Sequence, residues 1–113
     1  MRQELPNGDL PTLILAVLGQ TPLHGYAIAR EVERLSDQAL KTREGSLYPA
    51  LRVLEQDGLI TGTWVPQEKG ADRKVYTLTE KGRREMAKRT RELLDYTKLV
   101  NAMLGRLGHA TTA

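Results

Sequence analysis

Residues 44–82 read EGSLYPALRVLEQDGLITGTWVPQEKGADRKVYTLTEKG, and the spacing of their apolar side chains changes once, at Gly58. Before it, Leu47, Leu51 and Leu54 recur at helical intervals; after it, Leu59 to Val65 and Arg73 to Leu78 alternate in the manner of strands. A glycine just past the last periodic residue is the usual helix terminator. The stretch therefore predicts a helix, a strand, a long hairpin tip over residues 66–72, a second strand, and a new helix opening at Thr79-Glu80 with a hydroxyl cap and an acid in its first turn. Because proline is tolerated in the first turn of a helix, Pro49 predicts a regular start near Gly45 or Ser46, with Ser46 or Thr42 as cap. Ser46, Tyr48, Pro49, Arg52 and Gln56 then point away from the leucine stripe, and Lys69, Arg73 and Lys74 lie on or beside the hairpin tip.

Working outward, TLILAVL at 12–18 predicts a short buried helix capped by Thr12, with a buried strand as the alternative that so short a run leaves open. Ile28, Val32 and Leu35 sit at i, i+4 and i+7 of an amphipathic helix that begins at His24-Gly25-Tyr26, where the glycine lets another backbone approach, and ends near Ser36-Asp37. Downstream, the helix from Thr79-Glu80 runs to about Leu104 or Leu107. At 100° per residue, Met86, Leu93, Tyr96, Thr97, Val100, Met103, Leu104 and Leu107 share one stripe, and Arg84, Lys88, Arg91, Asp95, Lys98 and Arg106 lie opposite. The organisation is an irregular arm (1–11), a winged helix-turn-helix domain (12–79), a long C-terminal dimerisation helix (80–107) and a disordered tail (108–113). The fold class is mainly α with a two-stranded β-wing. In that topology the third helix enters the major groove, about 12 Å wide, and the hairpin lies along the backbone, so the partner is double-stranded DNA.

The composition agrees. The chain has 113 residues and a formal net charge of +3, but by region the sum is −3 over residues 1–68, +6 over 69–91 and 0 over 92–113. Lys69, Arg73 and Lys74 are the phosphate candidates in the basic block, and Arg84, Lys88 and Arg91 belong to a solvated helix face. With no cysteine, a disulfide scaffold and Cys-ligated metals are excluded, and His24 and His109 are too few and too separated for a metal site. Trp64 is read as a sheet residue covering the core. Gly45, Gly58, Gly62 and Gly70 read as turn or cap positions, and no Gly-rich phosphate loop occurs. No apolar run approaches a membrane span, and the first eleven residues lack a signal-peptide charge pattern, so a cytoplasmic location is expected. No cofactor is implied, and an enzyme is the weakest reading because no motif supplies a positioned nucleophile and base.

The runs LILAVLGQTPLHGYAIAREVERLS, EGSLYPALRVLEQDGLI and RKVYTLTEKGRREM resemble the PadR family of bacterial transcriptional regulators over residues 12 to about 107. The resemblance implies a homodimeric repressor with a single C-terminal dimerisation helix, bound to an inverted-repeat operator. It implies DNA contacts from Arg43, Ser46, Tyr48, Pro49, Arg52 and the wing cations. It also implies dimerisation through Met86, Leu93, Tyr96, Thr97, Val100, Leu104 and Leu107, with contacts from the N-terminal helix or arm. A small aromatic or apolar effector is expected near Leu13, Val17, Leu93 and Tyr96. Where some drug-binding members carry a tryptophan this chain has Leu93, and Tyr96 is the nearest aromatic. The alternative is a protein-interaction module that uses the same scaffold and its long helix to dock another protein.

Overall fold

The computed structural model describes residues 3–4 and 8–109. In chain order the elements are β1 (Gln3–Glu4), α1 (Leu10–Leu18), β2 (Leu23–His24), α2 (Gly25–Leu35), β3 (Leu40–Lys41), α3 (Glu44–Gln56), β4 (Ile60–Val65), β5 (Arg73–Leu78) and α4 (Glu80–Arg106). The winged-helix order is present, with three short strands added to it. β2 joins β5 and β4 in an antiparallel sheet, Leu23 opposite Tyr76, and β1 pairs parallel with β3, Gln3 beside Leu40. Part of the expected irregular arm is thus paired backbone; residues 1–2, 5–7 and 110–113 lie outside the described residues.

Two helix starts differ from expectation. α1 begins at Leu10 rather than at a Thr12 cap, because Pro11 in the first turn lacks only a donor that the first turn does not use. Leu10 is consequently a core residue, 2% exposed. α3 begins at Glu44 with Arg43 in extended backbone as its N-cap residue, so neither Ser46 nor Thr42 caps it. Pro49 then falls in the second turn, where its missing N–H leaves the carbonyl of exposed Gly45 to water. At the other end of the chain, Gly108, read as the start of a loose tail, takes φ +85° and lets the His109 amide close α4 on the Leu104 carbonyl at 3.1 Å.

The core holds Ile14 and Leu15 from α1, Ile28 from α2, Leu47, Leu51 and Leu54 from α3, and Ile60 from β4, all essentially sealed from solvent. Each such side chain contributes about 1.5–3 kcal/mol through removal of apolar area from water. β4 and β5 run in continuous register from Ile60 opposite Leu78 to Val65 opposite Arg73, so the sheet starts in the core and ends in solvent. Gly62 is a mid-strand residue, opposite Tyr76, and not a turn position.

The α3–β4 and β5–α4 junctions meet at one place. Gly58, at φ +74°, turns the chain so that the Leu59 amide donates to the Leu54 carbonyl at 3.0 Å. The Thr79 amide donates to the Leu59 carbonyl at 3.1 Å, its hydroxyl donates to the Gly58 carbonyl at 2.7 Å, and the same hydroxyl accepts from the Gly82 amide at 2.9 Å as the cap of α4. Gly82 is buried there because a Cβ would stand 1.9 Å from the Leu59 carbonyl oxygen. Gly82→Ala adds helix propensity worth about 1 kcal/mol but forces this backbone contact apart. We expect a net loss of about 1–3 kcal/mol in chemical denaturation; an unchanged unfolding midpoint would show that the contact can relax without cost.

Candidate nucleic-acid interface

α3 has two faces. Leu47, Leu51 and Leu54 are each 1% exposed, whereas Tyr48 is 41% exposed, and Pro49, Arg52 and Gln56 are exposed with it. Ser46 is half-buried. Among the described residues Arg52 forms no ion pair; Glu55, a turn further along, is engaged by Lys74 instead.

The candidate residues do not form a single cluster. Tyr48 and Arg52 line a cleft of about 450 Å³ whose opposite wall is the wing, with Trp64, Asp72, Arg73 and Lys74, and whose floor is His24, Gly25, Tyr26 and Tyr76. Ser46 and Pro49 face a separate groove of about 320 Å³, shared with Leu10, Pro11 and Val53. Arg43 at the head of α3 and Lys69 on the exposed hairpin tip line neither.

The cleft explains the HGY motif. A Cβ on Gly25 would lie 2.9 Å from Cε1 of Tyr48, so the glycine admits an aromatic side chain rather than a backbone. Beside it the rings of His24 and Tyr26 stack at 6.5 Å, and the Arg30 guanidinium lies 5.6 Å from the Tyr26 centroid. Tyr26 is 57% exposed and adjoins Tyr48 around a smaller recess in which the Thr42 hydroxyl is buried with no hydrogen-bond partner among the described residues. Tyr26 and Arg30 extend the candidate surface onto α2. They were missed because their positions on the polar side of an amphipathic helix looked like ordinary solvated residues.

The wing cations divide. Lys69 and Arg73 are exposed, but Lys74 is half-buried: its Nζ donates to Glu55 Oε1 at 2.9 Å and lies 5.9 Å and 5.5 Å from the Trp64 and Tyr76 ring centroids. The hydrogen bond that the ammonium donates to Glu55 raises its pKa above the usual value, and burial raises that of the Tyr76 phenol. Trp64 does not cover the core. Ile60, Gly62 and Trp64 share a sheet face, but burial falls along it from Ile60 at 1% exposed through half-buried Gly62 to Trp64, which stands 64% exposed in the cleft. The rest of the basic block is largely occupied. Arg89 pairs with Glu85 at 2.9 Å, Lys81 donates to the Asp57 carbonyl at 2.9 Å, and Arg84 and Lys88 make loose exposed pairs at 3.9 Å with Glu80 and Glu92.

On α4, Met86 packs against the core, Leu93 and Val100 are half-buried, and Thr97 is exposed with its hydroxyl bonded to the Leu94 carbonyl. Leu94, Tyr96, Leu99 and Leu107 are 64–70% exposed. Leu13 and Val17 line a groove of about 590 Å³ against α2 and Leu40, and Leu93 and Tyr96 are not part of it, so the four expected effector residues do not converge within one chain.

The His24 imidazole in the cleft has a pKa below the ordinary histidine value of about 6.5, held down first by burial and then by the Arg73 charge. The unfolded chain therefore takes up this proton before the folded one, so the stability contribution is present above about pH 6.5 and is lost as the pH falls through the folded pKa. Urea midpoints should fall between about pH 7.5 and pH 5, and His24→Gln should flatten that part of the curve. An identical slope in the variant would place the titration elsewhere.

The model of the transcriptional regulator PadR-like family matches residues 14–88. A probable transcriptional regulator of Mycobacterium tuberculosis is 33% identical over 89 residues, covering 79% of this chain and 47% of that protein. The negative transcriptional regulator PadR of Bacillus subtilis is 32% identical over 73 residues, 65% of this chain and 40% of its own length. The chain thus spans less than half of these two regulators. Among solved structures, a PadR family transcription regulator from Clostridium difficile superposes with a TM-score of 0.73 at 28% identity, covering 86% of this chain and 99% of that one. A transcriptional regulator from Clostridium thermocellum gives 0.75 at 26% identity, with 84% and 89% covered.

Proposed function

Since the chain belongs to the PadR-like family of transcriptional regulators, we propose that it is a homodimeric, sequence-specific DNA-binding repressor acting in the bacterial cytoplasm on an inverted-repeat operator. The observation that carries this reading is the division of α3: three sealed leucines anchor one side, and Tyr48 and Arg52 stand free on the other beside the wing. A helix held from behind, with a polar and aromatic edge in front and a hairpin at its flank, meets a major groove and the adjoining phosphates together. Arg52, exposed and among the described residues without a carboxylate partner, is suited to a base edge, and Lys69 and Arg73 to phosphates. Arg43, Ser46 and Pro49 lie outside the cleft, on the first two turns of α3 or just before them, and on this reading contact the backbone that flanks the groove. The relative in Bacillus subtilis named a negative regulator supports the repressor role.

The dimer reading is supported by α4. A helix of 27 residues whose outer half exposes Leu94, Tyr96, Leu99, Met103 and Leu107 leaves more apolar surface than a solvated helix sustains. Pairing with a second α4 covers it and spaces two copies of α3 about one helical turn of DNA apart, on the order of 34 Å. A small aromatic or apolar effector that relieves repression would then contact residues from both chains, Leu93 and Tyr96 from α4 and Leu13 and Val17 from α1. A shift in DNA affinity on adding such compounds would support this; constant affinity across a broad aromatic panel would count against it.

Arg52→Ala should cost about 1–3 kcal/mol in DNA affinity and relax sequence preference, whereas Lys69→Ala should weaken all sequences alike and reduce the salt slope by about one. Gel shifts on the DNA upstream of the chain's own gene, repeated at several salt concentrations, read both. Salt-insensitive capture of a protein without DNA binding would instead favour the interaction module.

Leu93→Asp or Val100→Asp should yield monomers by sedimentation and abolish operator binding. A variant that stays fully dimeric would refute the assignment of α4 as the dimer helix.

A further inference from the structure

The wing is tied to α3 by a side chain that the sequence offered as a phosphate contact. Lys74 leaves β5 directly across from Trp64 in β4. Its stem passes over Gly62, where a Cβ would come within 2.2 Å of the lysine Cε, and its ammonium ends 2.9 Å from Glu55 Oε1 on α3, nineteen residues earlier in the chain. On the way it lies above the Trp64 ring, and beside the Tyr76 ring, at 5.9 Å and 5.5 Å. A long flexible side chain thus has its stem, its ammonium and its neighbouring rings all fixed at once.

This is a poor arrangement for binding phosphate and a good one for fixing an angle. A lysine that attracts DNA keeps its charge in solvent, as exposed Lys69 does at the tip. The charge of Lys74 is offset at contact distance by Glu55, so its net pull on a phosphate is small. Beyond Gly62 strand β4 leaves the core: Thr63, Trp64 and Val65 are exposed, and the side-chain contact that ties this part of the hairpin to α3 is the Lys74–Glu55 hydrogen bond. A DNA duplex must touch α3 and the wing simultaneously, and a wing that swings freely loses that freedom on binding.

We propose that the Glu55–Lys74 pair, seated over Gly62 and capped by Trp64, is a strap that sets the angle between the wing and α3, so that both residues are positioning residues for DNA binding. The proposal rests on the reading above that α3 and the wing bind DNA together.

Glu55→Gln separates the strap from simple electrostatics by sign. Removing a carboxylate from a DNA-facing cleft, by charge alone, tightens binding; removing a strap weakens it. We expect Glu55→Gln and Lys74→Met each to weaken binding by about three- to fivefold, with an unchanged salt slope. The double variant should be no worse than either single one, and Lys74→Arg, which can still reach Glu55, should recover most of the loss. Trp64 is the sole tryptophan, so its emission reports the strap in the free protein. Glu55→Gln and Lys74→Met should change that emission and its quenching by iodide, and Lys69→Ala should not.

Tighter binding by Glu55→Gln, a slope lowered by about one in Lys74→Met, or unmoved Trp64 emission in Glu55→Gln would each overturn the strap. If the unaltered chain binds no DNA at any salt concentration, the DNA reading fails. The Trp64 arm, which needs no DNA, then still decides whether the pair holds the wing.

Discussion

The backbone at Gly58 and Leu59 is the constraint from which the other arrangements follow. Within two residues the chain ends α3, starts β4 and receives the cap of α4. Thr79 bonds to both carbonyls, and Gly82 lies against the Leu59 oxygen with no side chain between them. The directions of the leucine-anchored helix, the hairpin and the long helix are therefore not independent. Any of the three that turned would have to break hydrogen bonds made at this junction, among them the one from the Leu59 amide to the Leu54 carbonyl, between two buried residues.

From that fixed point the structure grows in two directions with opposite character. The wing extends away from the core until packing no longer supports it, and side chains take over: Trp64, Lys74 and Tyr76 against one another, and Lys74 against Glu55. α4 extends past α1, and beyond Val100 the described residues of this helix are exposed. The hairpin is tied back to α3 by polar contacts, whereas the outer half of the helix leaves its apolar residues exposed.

The charge distribution acquires meaning in the same way. The sequence separates the excess of basic residues between 69 and 91 into wing cations and a solvated helix face, and the fold divides it further. Arg89 serves Glu85, Lys81 serves the end of α3, and Lys74 serves Glu55, while Lys69 and Arg73 remain exposed. A count of cations overstates a phosphate-binding surface, because pairing over nineteen residues, as between Glu55 and Lys74, leaves no trace in local spacing.

What the sequence determined alone is periodic or stereochemical. The leucine interval of α3, the alternation after Gly58, the Thr79 cap and the order of elements are local rules of helix and strand, and they place Tyr48 and Arg52 on a free face. The helix starts moved by one or two residues, because Pro11 and Pro49 each tolerate more than one position near a helix start and only the surrounding packing selects among them. The tertiary structure alone decided that Gly25 makes room for Tyr48, that Gly62 makes room for Lys74, that Trp64 faces the cleft, and that Tyr26 and Arg30 stand beside it. In each case the deciding neighbour is distant in the chain or on another face of its own element, and contact across such gaps is set by how elements pack, which no local pattern encodes.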